Sequence, residues 1–282
     1  MDFFQFHLSL KAKEIGDLFD ARGPEGQLLS RESWIRSFFG KEREFVHYKS
    51  KFAFKPETAV ISRSHPQAIF GWIAREKRLF ERTPPSEGLE PIEHLSWQAI
   101  FVAIDPTDHK EGQAISVESN DEIGRPKAVI RSLVKAMNDQ FDAPYYGQVF
   151  PLISEGTFWA FAEKHGDSIK SVTFDVAAPN MFTDEDDFQN EMRSLRDGEN
   201  VSNLKATLDS DTALNHRTPR IVGLIDYVER GAGELSAVAT DGALYNSATN
   251  ERKVPIQIDR PTASTIPKFL REIAMMLDRI FP

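Results

Sequence analysis

The residues best placed to do chemistry are Asp105, Asp108 and His109, directly after an apolar run at 95–104. Carboxylates at the end of a buried strand can hold Mg²⁺, because hard oxygen ligands suit that ion. Asp105 and Asp108 with His109 are therefore the candidate set for a metal-dependent nuclease or hydrolase. The competing reading is a Pro-containing turn, Asp105-Pro106, with an Asx cap. The seven His stand at 7, 47, 65, 94, 109, 165 and 216, and none has a second His at i+4. Asp211 and His216 form a second acid–imidazole candidate within a polar stretch. The chain has no Cys, which removes disulfides, thiolate zinc sites and cysteine nucleophiles. It has no phosphate loop, no dinucleotide-type G-x-G-x-x-G after a strand, no G-x-S-x-G and no H-E-x-x-H. No cofactor and no metal are expected from these motifs, and binding is favoured over catalysis.

Charge supplies the other candidate. The formal net charge is −9, yet residues 1–82 carry 15 Lys/Arg against 11 Asp/Glu, and residues 83–282 carry 19 against 32. Within 31–82 the count is 12 against 6. Lys41, Arg43, Lys49, Lys51 and Lys55 alternate with Phe45, Tyr48, Phe52 and Phe54. Arg75, Lys77 and Arg78 follow, with Arg82 beyond them. Cations two residues apart on a strand recur every ~6.6 Å, a spacing that can track phosphates. With no RNA-module signature, the expected mode is backbone-directed contact with double-stranded DNA. That reading puts any nucleic-acid contact in the first third of the chain. Solvated strand edges are the alternative use of these cations.

The elements that must position these residues can be read from periodicity. Phe4, Phe6, Leu8 and Leu10 alternate with Gln5, His7 and Ser9, as in a half-buried strand. A short helix or turn at 11–19 and a Gly/Pro loop at 23–26 are expected next. Strands are expected at 44–54, 58–62, 68–76, 95–104 and 113–118, forming an antiparallel meander. The segment 82–91 (RTPPSEGLEP) is a turn-rich candidate boundary. Val129, Ile130, Leu133, Val134, Met137 and Phe141 have helical spacing after Pro126.

In the second half, strands are expected at 146–153, 169–177 and 220–228, and helices at 157–165 and 201–208. Thr183 is a candidate N-cap before Asp184, Glu185, Asp186 and Asp187, acids that suit a first helical turn. Asp241-Gly242 between 235–240 and 243–247 marks a hairpin of type I′. A further strand is expected at 254–258, and an amphipathic helix at 264–281. The pattern predicts an α+β fold: a mainly antiparallel N-terminal sheet region, then a mixed C-terminal half with a β-hairpin and a terminal helix. The expected domains are 1–142 and 143–282. Met1–Leu10 lacks the features of a signal peptide, and no apolar run reaches ~20 residues. A cytoplasmic protein without membrane insertion is expected.

The second half also resembles a known group. It reads YYGQVFPLISEGTFWAFAEKHGDSIKSVTFDVAAPN, then a polar region, then RIVGLIDYVERGAGELSAVATDGAL. Over about 145–258, with Ala178-Pro179-Asn180 and Asp241-Gly242, this is similar to phage-exclusion and phage-defence proteins related to RexA and to the KwaB subunit of the Kiwa system. The resemblance implies a two-domain α+β homodimer that binds DNA without sequence specificity, senses a nucleoprotein complex or acts with a second defence protein. Where RexA has a basic stretch, this chain has Thr183-Asp184-Glu185-Asp186-Asp187, so the resemblance carries over no binding residue. An acidic interaction subunit of a defence complex is the remaining alternative.

Overall fold

The fold was analysed in a computed structural model, which describes residues 1–13, 29–58, 62, 64–109, 112–177, 201, 203–258 and 265–281. It is α+β, with a large curled antiparallel sheet, a smaller second sheet and helices against both. The centre of the large sheet is β1 (Asp2–Ala12), paired along one edge with β6 (Gln113–Glu118). Its other edge takes β12 (Lys253–Pro255) over Asp2–Phe4 and β7 (Tyr145–Pro151) over Phe6–Ala12. From β6 the sheet continues through β5 (Pro91–Asp105), β4 (Ile69–Arg82), β3 (Ser50–Glu57) and β2 (Arg43–His47).

The alternation in β1 works as expected on one face, where Phe6, Leu8 and Leu10 are fully buried. Its other face is buried too. Phe3, Gln5 and His7 pack beneath other elements, because helices cover both sides of this sheet. On the inner face lie α1 (Arg31–Phe39) and α2 (Pro126–Asn138). The sheet curls so that α2 meets β7 at one end and β2 at the other. On the outer face lie α5 (Ile266–Met275) and α6 (Leu277–Ile280), packed on Phe3, Phe70 and Phe101. Each fully buried Phe contributes roughly 1.5–3 kcal/mol relative to exposure, so both faces are strongly anchored.

The second sheet has the order β11 (Leu244–Asn246), β10 (Gly233–Ala239), β8 (Ile169–Ala177), β9 (Asn203–Asp209). It packs on α3 (Thr157–His165) and α4 (Pro219–Tyr227).

Several expectations are corrected. The segment 220–228 is a helix, α4, rather than a strand. Thr218 caps it by accepting the Ile221 N–H, Pro219 occupies the first turn, and Ile221, Leu224, Ile225 and Val228 bury one stripe. The reverse error falls at 201–208, most of which is β9, an edge strand with Leu204 and Leu208 on its sheltered face. The segment 44–54 is two strands, β2 and β3, joined at Tyr48-Lys49. The terminal helix is broken at Met276 into α5 and α6. The segment 82–91 is no boundary: it is the hairpin connection between β4 and β5. The expected division at 142–143 is crossed, since β7, β12, α5 and α6 all belong to the large sheet's layers.

The expected short helix or turn at 11–19 overlaps β1 at Lys11–Ala12, and its remainder lies largely outside the described residues. So do the loop at 23–26, part of the strand at 58–62, Ala178-Pro179-Asn180, and the acidic run Asp184–Asp187 with its cap. Among the described residues, no helix is long and apolar enough to cross a membrane.

Two hairpin turns reverse their sequence signals. At Asp241-Gly242 the hairpin is present, but only Gly242 has positive φ, at 85°. The Gly242 N–H donates to Ala239, so the turn is a type I turn closed by a left-handed glycine. The two-residue turn with positive φ at both central positions lies instead at Tyr48 (43°) and Lys49 (67°). Neither is Gly or Asn, and the left-handed region costs such residues about 1–2 kcal/mol each.

Candidate functional site

The Tyr48-Lys49 turn overhangs a groove whose floor is the start of α2. The groove is a cavity of about 870 Å³ that runs past His47 and Tyr48 to Arg125, Lys127, Arg131 and Lys253. A second cavity of about 360 Å³ adjoins it at His47, Tyr48, Gly124 and Arg125, and is lined also by Arg75. Gly124 has a φ of 124°, a conformation that turns the chain from the β6 side into α2 and that only glycine adopts without strain.

The charge at the start of α2 is unusual. Helix N-termini carry partial positive charge and favour acids. The first turn of α2 holds no acid, and its N-cap is Arg125, whose side chain does not cap the helix. Pro126 follows, then Lys127, with Arg131 four residues on and on the same helix face. Lys127 lies 2.8 Å from Glu234 and 3.6 Å from Glu251, and Arg131 lies 2.9 Å from Glu234.

These contacts set the carboxyls apart. Burial pushes Glu234 up, but its hydrogen bonds and charge contacts with Lys127 and Arg131 outweigh this and hold it below the usual range. Glu251 is raised, by burial first, against the opposing Lys127 charge and with repulsion from Glu234. Arg125 is exposed and has no side-chain partner among the described residues.

On the opposite wall, Arg75 donates to the Glu122 carbonyl at 3.1 Å and to Ser50 at 3.4 Å. Its buried Nε has no hydrogen-bond partner. His47 Nδ1 meets Ser132 Oγ at 2.8 Å. Burial, and then the Arg75 charge, lower the His47 pKa, so its ring favours the neutral form. Tyr48 is 86 % exposed at the rim.

The eight cations expected to bind nucleic acid do not share one surface. Arg75 lines the groove, Lys49 stands in its overhanging turn, and Lys77 pairs with Glu122 at 2.9 Å on the same side. Lys51 and Lys55 alternate with buried Phe52 and Phe54, which places them on the outer face of the sheet, with Arg78. There Glu44, Glu76 and Glu93 are interleaved, and Lys51–Glu44 (2.7 Å) and Arg78–Glu93 (3.3 Å) are ion pairs. Arg43 is half-buried, stacks over Phe38 at 4.9 Å and donates to the Phe38 carbonyl. Lys41 is exposed between α1 and β2.

Arg125, Lys127, Arg131 and Lys253 were outside the set expected from sequence, since they lie in the acidic part of the chain. The available signal was Arg125-Pro126-Lys127 at a helix start, where acids are the rule.

Asp105, Asp108 and His109 separate as well. Asp105 accepts from the Thr107 N–H (3.0 Å) and His109 Nε2 (3.2 Å). Burial pushes it up, but these bonds prevail and lower its pKa. Asp108 instead accepts from Gln113 and lies 3.8 Å from Arg31. The two carboxylates share no partner, so the paired metal site expected at this position does not assemble. Among the described residues, no group of three His, Asp or Glu is arranged to hold a metal ion. Asp211 is exposed, and His216 is buried beside Phe158 and Trp159. No family model, curated protein or solved structure matches this chain.

Proposed function

We propose that this chain is a non-enzymatic nucleic-acid-binding protein of the phage-exclusion or phage-defence type, and that it holds a phosphate backbone in the groove at the start of α2. The observation that carries the binding reading is the reversed charge of that helix start. Arg125 and Lys127 stand where the macrodipole already supplies positive potential, Arg131 and Lys253 line the same cavity, Arg75 lines the adjoining one, and Lys49 stands in the overhanging turn. Lys127 and Arg131 are already paired with Glu234 and Glu251, so the charge that an anion in the groove would offset is chiefly that of Arg125 at the helix N-terminus.

Lys and Arg contacts to phosphates position a protein without reading sequence, so the reading is of backbone contact without sequence preference. The role in defence, a dimeric state and a second defence protein as partner rest on the resemblance to the RexA- and KwaB-related proteins. Fluorescence anisotropy on a random-sequence duplex tests the binding. Saturable binding is expected at ~50 mM salt. Four to five phosphate contacts would give a slope of log K against log salt of about −4. No binding at ~50 mM salt overturns the reading.

A further inference from the structure

Three of the seven histidines, distant in sequence, line one cavity of about 360 Å³ at the rim of the outer sheet face. The strand register brings two of its walls together. Asp105 on β5 is opposite Ala114 on β6, and Ala114 is opposite His7 on β1. Asp105 and His7 thus lie two strands apart, roughly 10 Å, on the same face, with only a methyl group between them. Phe281, which follows α6, and His65 beside it close one side of this opening. The turn after α4 closes the other.

The polar groups are held in set directions. His7 Nδ1 donates to the Arg230 carbonyl at 2.8 Å, which fixes that nitrogen as protonated. Gly231 makes this approach possible: its φ is 83°, and a Cβ there would come within 2.8 Å of His7 Nδ1. Asp105 orients His109 in the same manner through Nε2.

The acids in the cavity already have partners or face water. Asp105 holds Thr107 and His109, Glu229 accepts the Gly156 N–H at 3.2 Å, and Glu155 is exposed. The arginines differ. Neither Arg230 nor Arg252 is ion-paired among the described residues, and Arg252 is partly buried with no side-chain partner. A guanidinium in that position presents a ready fork for an oxyanion.

We propose that this cavity is a binding site for the phosphate group of a small phosphomonoester, anchored by Arg252 and flanked by His7 and His109. It is separate from the groove at α2, and its volume suits a small molecule rather than a polymer backbone.

The test is an NMR titration of the full chain with inorganic phosphate and with phenyl phosphate, read on the histidine ring signals. Saturable shifts of the His7 and His109 rings are expected, with affinity about tenfold or more weaker in Arg252→Met and partly restored in Arg252→Lys. The shifts are expected to persist in Arg125→Glu, a change that acts on the groove. His109→Gln, at a half-exposed position, provides a second weakened variant that does not disturb a buried residue. Absence of saturable shifts in the wild-type protein overturns the proposal. So does wild-type affinity in both Arg252→Met and His109→Gln, or loss of the shifts in Arg125→Glu alone.

Discussion

The groove at α2 and the outer face of the β2–β5 sheet both draw on the basic segment at 31–82, and they use it differently. On the outer face, Lys51, Lys55 and Arg78 are spread over a flat surface among Glu44, Glu76 and Glu93. In the groove, cations from α2 and β12 line a concave floor at a helix N-terminus, Arg75 lines the adjoining cavity, and Lys49 stands in the turn whose Tyr48 forms the rim. Both regions hold acids: in the groove Lys127 and Arg131 pair with Glu234 and Glu251, and Lys253 lies 3.8 Å from Asp2. The difference is that the groove adds concavity and a helix N-terminus beside Arg125, which has no ion pair among the described residues, and both focus positive potential. Charge counted along the chain therefore locates a basic segment but does not locate a basic site.

The largest difference between the two regions should appear in stability. Lys127 is largely buried between Glu234 and Glu251, so Lys127→Met leaves Glu251 without its cation and Glu234 with Arg131 alone. A loss of about 2–3 kcal/mol is expected in a denaturant titration. Lys51→Met removes a cation from an exposed pair on the outer face and should leave the unfolding midpoint in place.

A smaller effect, of opposite sign, is expected at the turn. Tyr48→Asn with Lys49→Gly places residues suited to positive φ at both positions, and should stabilise by about 1 kcal/mol. The same pair should weaken DNA binding, because Lys49 is lost from the groove's rim. Stabilisation with unchanged binding would remove the turn from the interface.

The smallest effect concerns His47. Its folded pKa lies below that of the unfolded chain, so the unfolded state binds the proton more readily. The stability this contributes is present above the unfolded pKa near 6.5 and is lost as pH falls below it. His47→Gln should therefore show a shallower decline in thermal midpoint between pH 7 and pH 5.

Much of the fold was legible where one signal dominated. β1 is a strand with Phe6, Leu8 and Leu10 on one buried face, α2 keeps its 3.6 period from Pro126 to Met137 while Phe141 lies beyond it and exposed, and Asp241-Gly242 marks the β10–β11 hairpin though not its turn type. The reading failed where two signals competed. In α4, the β-branched Ile221, Val222, Ile225 and Val228 argue for a strand, while Thr218-Pro219 and the spacing of Ile221, Leu224, Ile225 and Val228 argue for a helix. Packing on the second sheet decides for the helix. The candidate site was legible only in part. Arg75 and Lys49 were in the expected set, but Arg125, Lys127, Arg131 and Lys253 reach the groove through tertiary contacts between segments of opposite net charge. The Tyr48-Lys49 turn was illegible because its residues contradict its geometry.

The central claim is that nucleic acid binds in the groove and not on the outer face. The most direct test compares two double charge reversals in one salt-dependence series on random duplex DNA: Lys49→Glu with Arg125→Glu, and Lys55→Glu with Arg78→Glu. The groove pair should lower affinity at least about tenfold at ~50 mM salt and reduce the salt slope by about 2, while the outer-face pair leaves the slope as in the wild type. The reverse pattern, or equal losses in the two variants, would contradict the account.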